Sequence, residues 1–171
     1  MLTQQQLDFF DRQGYLVVEN VFDQQRIIEP LKAEYSDLID DLYADWLAEG
    51  RVTKDPKDLD FFGKLLEAYM AGCDWFQPMD ISLPGDRIQL DTPMHFGPAV
   101  FNMIRDSNLL DIVEQLIGPE ITSNPIQHVR IKPPARDLYQ DEIRAHITST
   151  DWHQDRGVAL EEADETEMVT V

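Results

Sequence analysis

Trp152-His153-Gln154-Asp155 places an imidazole and a carboxylate two residues apart, in a stretch whose composition predicts an extended backbone. Side chains at positions i and i+2 of a strand point to the same face, so His153 and Asp155 could hold one metal ion together. A histidine and a carboxylate are two of the three ligands in the two-histidine, one-carboxylate site that binds non-haem Fe(II) with open coordination positions. The third ligand is missing from the rest of the sequence, because no histidine follows Asp155.

The His-x-Asp pair is a weak signal when it stands alone. With four histidines and twenty-one aspartates in 171 residues, about one chain in two contains such a pair by chance. A surface pair, or a hydrogen-bonded histidine in the core, is the simpler explanation at that level. The metal interpretation therefore depends on the sequence around the pair.

Length and composition indicate one domain, spanning residues 1–171, with 43% hydrophobic residues to form a core. The net charge of −19 repels phosphate backbones and anionic lipid, so we expect no nucleic-acid or membrane partner. A solvated acidic surface explains this charge more simply than a specific basic partner does. No apolar run is long enough to span a bilayer, and the N-terminal residues lack the basic, apolar, small-residue pattern of a leader, so we expect no secretory signal. The single cysteine, Cys73, is consistent with a reducing compartment, and we expect a cytoplasmic protein.

Hydrophobic periodicity divides the chain into two parts. Residues 1–118 are predicted to be mainly helical, with caps at Thr3, Asp23 and Ser107. A short strand is predicted at residues 15–18. Residues 119–171 are predicted to hold strands, and Met168-Val169-Thr170-Val171 resembles a strand cut in its middle. We therefore expect the sequence to be a fragment. The predicted helices cover residues 3–14, 23–50, 59–71, 99–105 and 107–117, and the later strands cover residues 121–132, 151–160 and 168–171.

Four stretches in chain order resemble the phytanoyl-CoA dioxygenase family. Residues 3–18 are similar to its opening helix and the strand that begins with Gly-Tyr, and residues 108–119 to its helix before the barrel. Ile131-Lys132-Pro133-Pro134 resembles the end of one of its strands, and residues 152–155 resemble its metal motif closely. Together the four stretches are far more specific than any one of them, and they span most of the chain.

The resemblance implies an α+β fold, in which N-terminal helices pack on a double-stranded β-helix of the jelly-roll or cupin kind, incomplete in this chain. It implies Fe(II) as cofactor, 2-oxoglutarate as cosubstrate, and His153 and Asp155 as metal ligands. It also puts His128 and Lys132 beside 2-oxoglutarate. A packed barrel histidine is an equal alternative for His128, and a solvated charge at a strand end is the simpler one for Lys132.

The family's second metal histidine and its 2-oxoglutarate-binding arginine lie on later strands, so both are expected beyond Val171. His95, His128 and His146 precede the metal motif and do not replace that histidine by order; His146 is more simply a solvent-facing residue. Residues 133–151 are predicted to form a loop beside the motif. Its candidate substrate contacts for an anionic group are Arg136, Tyr139 and Arg144, with an ordinary lid as the alternative.

The resulting expectation is an Fe(II)- and 2-oxoglutarate-dependent dioxygenase that hydroxylates a small organic substrate. This chain alone is expected to be inactive, because it supplies two of the three protein ligands. Two alternatives stay open: a cupin-like metal site that does not use 2-oxoglutarate, and a non-catalytic β-helix module with a vestigial metal pair. The substrate and the oligomeric state are not predicted.

Overall fold

The computed structural model describes residues 1–74, 76–82, 87–124, 127–132 and 166–171. Six α-helices lie in this part of the chain, together with one π-helical turn and one 3₁₀ turn. The α-helices are α1 (Gln4–Gln13), α2 (Glu29–Ala48), α3 (Phe61–Met70), α4 (Phe76–Met79), α5 (Pro98–Ile104) and α6 (Ser107–Ile117).

Helix α1 begins and ends where its capping residues predict. The Thr3 side chain accepts a hydrogen bond from the Gln6 backbone N–H, and the Gln6 side chain accepts one from the Thr3 N–H in return. Gly14 ends the helix with φ = +75°, a conformation that glycine adopts without steric cost. The predicted first helix is confirmed.

Helix α2 is the centre of the core. Four of its side chains recur at spacings of four, four and three residues and are buried against α3, α4 and α5, which pack around it. They are Tyr35, Ile39, Tyr43 and Trp46. Leu65 and Ala68 of α3 complete the contact and are also buried. Burial of such large side chains contributes roughly 1.5–3 kcal/mol each, before the entropy of ordering them is subtracted.

Asp23 caps the helical turn that leads into α2, as the sequence predicts. Its carboxylate accepts a hydrogen bond from the Arg26 backbone N–H and caps the π-helical turn Gln24–Ile28. Pro30 lies in the first turn of α2, where its missing N–H costs no hydrogen bond. The turn and α2 therefore form one continuous helical segment.

The predicted α+β fold with a double-stranded β-helix is wrong for the described residues, which are helical and contain no strand. Residues 15–18 and 168–171 were expected to be strands and are not. Residues 121–124 and 127–132, the described part of the second expected strand, are irregular as well. The expected strand at 151–160 lies outside the described residues.

The hydrogen bond made by Val129 shows why the expected strand at residues 121–132 does not form. The backbone N–H of Val129 donates to the Asp80 carboxylate at 2.8 Å instead of to a neighbouring strand. β-Branched residues fit well on the pleated surface of a sheet, but a segment rich in them forms a strand only where a neighbouring strand supplies backbone hydrogen bonds.

No helix among the described residues is long and apolar enough to cross a membrane.

Candidate functional site

Asp80, directly after α4, is the most completely hydrogen-bonded carboxylate among the described residues. It is 1% exposed, and its Oδ1 accepts backbone N–H bonds from Ile81 at 2.9 Å and from Val129 at 2.8 Å. Its Oδ2 accepts from the Ser82 hydroxyl at 3.2 Å and lies 2.7 Å from Nδ1 of His128. Four contacts of this kind offset the cost of burying a charge.

His128 is held through one ring nitrogen only. The nitrogen that faces the Asp80 carboxylate is Nδ1. The Ser82 hydroxyl oxygen lies 3.0 Å from the same nitrogen. Nε2 therefore has no partner among the described residues, and the side chain is about one-third exposed. A ring that is held through Nδ1 leaves Nε2 available to a ligand.

A second histidine–carboxylate pair joins α2 to the start of α5. Oε1 of Glu34 lies 2.9 Å from Nε2 of His95, and Oε2 accepts the backbone N–H of Ala99 at 2.8 Å. Both side chains of the pair are largely buried. The Glu34 carboxylate thus satisfies one of the backbone donors that the first turn of a helix leaves unpaired.

Backbone hydrogen bonds connect the two pairs. The N–H of His95 donates to the carbonyl of Asp80 at 2.9 Å, and the Tyr35 hydroxyl donates to the carbonyl of Met79 at 3.1 Å. Burial raises the pKa of Tyr35 well above its usual value, and the negative charges of Glu34 and Asp80 raise it further. The phenol therefore stays protonated and keeps this bond. Glu34, Tyr35, Asp80, His95 and His128 form one connected unit, which we name the two-histidine cluster.

Of the residues that the sequence assigns to a site, only His128 and Lys132 lie within the described part of the chain. His128 belongs to the two-histidine cluster. Lys132 is exposed and is not a member of that cluster. The remaining assigned residues lie outside the described residues: the metal ligands His153 and Asp155, the substrate candidates Arg136, Tyr139 and Arg144, and also His146.

The described residues do not provide an alternative metal site. They contain no group of three or more histidine, cysteine, aspartate or glutamate side chains arranged to hold an ion. Each histidine of the cluster already faces a carboxylate at hydrogen-bond distance. An Fe(II) ion needs three protein ligands in the expected site, so the described donors do not fit it.

Sequence reasoning missed the carboxylate partners of both histidines. Asp80 lies in a connection rich in proline and glycine, and Glu34 is one of several acidic residues along α2. The sequence carries no local signal for either pairing, because the partners are 48 and 61 positions apart. A buried histidine needs a partner somewhere, and that general requirement was the only available clue.

A groove of about 770 Å³ lies at another part of the surface, between α1, residues 15–21, α6 and residues 168–171. Most of its lining residues are hydrophobic, including Phe10 of α1 and Ile112 and Leu116 of α6, and polar atoms are exposed beside them. The volume is within the range of small-molecule sites. Asn108 at the start of α6 donates to the carbonyl of Val21 at 2.9 Å and ties two of the walls together.

No protein-family model, no curated protein and no solved structure matches this sequence.

Proposed function

We propose that the chain is part of an Fe(II)- and 2-oxoglutarate-dependent dioxygenase of the phytanoyl-CoA dioxygenase family, acting on a small organic substrate in the cytoplasm. The observation that carries the proposal is Trp152-His153-Gln154-Asp155, in order after the three other stretches that resemble the family. The proposal does not rest on the β-helix, which is wrong for the described residues.

His153 and Asp155 would hold the metal, and a third protein ligand would have to complete the site. When bound, Fe(II) with 2-oxoglutarate and O₂ supplies an oxidant for C–H hydroxylation. The chain's own contribution is to bind and orient the reactants and to exclude water. Arg136, Tyr139 and Arg144 remain the proposed contacts for an anionic group of the substrate.

The two-histidine cluster supports the proposal in one respect. The resemblance puts His128 beside 2-oxoglutarate, and Asp80 holds this ring with Nε2 available for a ligand. A packed core histidine, the alternative raised by the sequence, would have both nitrogens enclosed. The cupin-like alternative, which does not use 2-oxoglutarate, and the vestigial-module alternative assign no role to His128, so its geometry does not favour them.

Anaerobic titration of the complete protein that contains this chain, with Fe(II) and 2-oxoglutarate, tests the proposal. Binding of the chelate to the protein is expected to give a weak visible charge-transfer band that is lost in His153→Ala and Asp155→Ala. His146→Ala is the matched control, because His146 is in the same polar region and is not a proposed ligand. Fe(II) binding without a 2-oxoglutarate band would contradict the cosubstrate, and no Fe(II) binding would contradict the metal site.

A further inference from the structure

Within the described part of the chain, the backbone groups of residues 15–18 have no hydrogen-bond partner, and these residues lie at the edge of the groove. None of these residues donates or accepts a backbone hydrogen bond to another described residue. Their exposure alternates: Tyr15 and Val17 are 58% and 74% exposed, whereas Leu16 and Val18 are half-buried. Alternation with a period of two is the pattern of a strand that has one face on the protein.

The groove beside these residues is suited to the side chains of an added strand. Leu16 and Val18 line it from one side, and Ile112 and Leu116 of α6 line it from another. Unpaired N–H and C=O groups in a segment of β-forming residues are a template for another chain, because each added residue gains backbone hydrogen bonds. Main-chain hydrogen bonds would supply the affinity, and the groove would select for apolar side chains at every second position of the added strand.

The charge of the groove walls restricts the kind of partner segment that can bind there. Residues 15–21, α6 and residues 166–171 carry four carboxylates and no lysine or arginine, and α1, the remaining wall, carries two carboxylates and one arginine, Arg12. The four are Glu19, Asp111, Glu114 and Glu167, all exposed. With a net charge of −19 for the chain, the field attracts a basic segment and repels an acidic one.

We propose that residues 15–18 and the adjoining groove bind an extended, basic segment of a partner protein by strand addition. Alternate apolar side chains of that segment enter the groove, and its lysine or arginine side chains face the four carboxylates. A second copy of this chain is a poorer occupant, since two surfaces of charge −19 repel each other. A small apolar molecule would fill the groove and leave the backbone groups unpaired.

A synthetic peptide, Lys-Val-Thr-Val-Lys-Val-Lys, is the probe. We expect it to bind the chain and to shift the backbone amide resonances of residues 15–18 in NMR spectra. Two matched peptides separate the sources of affinity: one is N-methylated at alternate residues and lacks the N–H donors, and one has glutamate in place of lysine. Each is expected to bind at least about tenfold more weakly, because about 1.4 kcal/mol corresponds to a factor of ten.

Variants at an exposed position complete the test. Val17→Pro removes one N–H donor and is expected to weaken the peptide at least about fivefold, whereas Val17→Thr keeps the donor and the β-propensity and should bind normally. Circular dichroism checks that both variants stay folded. If Val17→Pro unfolds the chain, the N-methylated peptide alone tests the role of the backbone hydrogen bonds. No binding, equal binding of the N-methylated peptide, or self-association of the chain without peptide would each overturn the proposal.

Discussion

The carboxylate of Asp80 and the imidazole of His128 meet at 2.7 Å although 48 positions separate them in the sequence. The same carboxylate accepts the backbone N–H of Val129, so one buried side chain fixes both the ring and the backbone of residues 127–132. It does so at the end of α4, next to the segment that leads to His95. Asp80 therefore joins the irregular segment 127–132 to the helical core.

Removal of the Asp80 carboxylate should destabilise the chain strongly. Asp80→Ala leaves the N–H groups of Ile81 and Val129 and the His128 ring without their acceptor. We expect the free energy of unfolding to fall by about 2–4 kcal/mol, measured by urea denaturation. Asp91→Ala, at an exposed aspartate, is the control and should change it by less than about 0.5 kcal/mol. Equal effects of the two variants would show that Asp80 does not join these segments.

Gly97 should tolerate no side chain. It has φ = +50°, and a Cβ atom built there lies 2.9 Å from Cγ2 of Ile81. Gly50 also has a positive φ, of +71°, with nothing within 4 Å of a Cβ. Both Gly→Ala variants lose about 1 kcal/mol from backbone strain, and Gly97→Ala is expected to lose about 1–2 kcal/mol more from the clash. Thermal denaturation that gives equal losses would contradict the close approach of Ile81.

Alkaline pH should weaken the fold in part through Tyr35. Its pKa is raised by burial and then by Glu34 and Asp80, so the protonated phenol is favoured in the folded state. This contribution is fully present below the unfolded pKa of about 10 and is lost as the pH rises above it. Tyr35→Phe should therefore lose less stability than the natural sequence between about pH 9 and pH 11. Parallel stability curves for the two proteins in that range would argue against the assignment.

The thiol of Cys73 should react slowly in the folded chain. Burial raises its pKa, Arg51 lowers it by a smaller amount, and Glu49 raises it again. The thiolate is the reactive species, and the side chain is only 3% exposed. Reaction with Ellman's reagent at pH 7.5 is expected to be at least about tenfold slower in buffer than in guanidinium chloride. Equal rates would show that Cys73 is accessible in the folded state.

Local features of the fold were predictable from the sequence, and non-local ones were not. Thr3 and Gly14 define the ends of α1 because caps act within one turn. At α6 the predicted cap was one residue out: the Asp106 side chain, and not that of Ser107, accepts the Asn108 N–H. Asp106 is buried and pairs with Arg26, a contact that neighbouring residues do not indicate.

The expected strands show the limit more clearly. Residues 15–18 have the composition of a strand, yet a strand also needs a partner, and composition does not reveal whether one is in place. At the candidate site the sequence indicated His128, because each of the few histidines in the chain can be considered individually as a candidate site residue. Its carboxylate could not be identified among thirty-three acidic residues until the chain was folded.

The central claim is that His153 and Asp155 bind one metal ion together. Mn²⁺ titration of the ¹⁵N-labelled chain measures this directly, because the paramagnetic ion broadens the resonances of nearby nuclei. We expect the amide signals of residues 152–156 to broaden first, and each of the variants His153→Ala and Asp155→Ala to need about tenfold or more Mn²⁺ for the same effect. Broadening that is confined to other acidic segments, or that is unchanged in both variants, would contradict the claim.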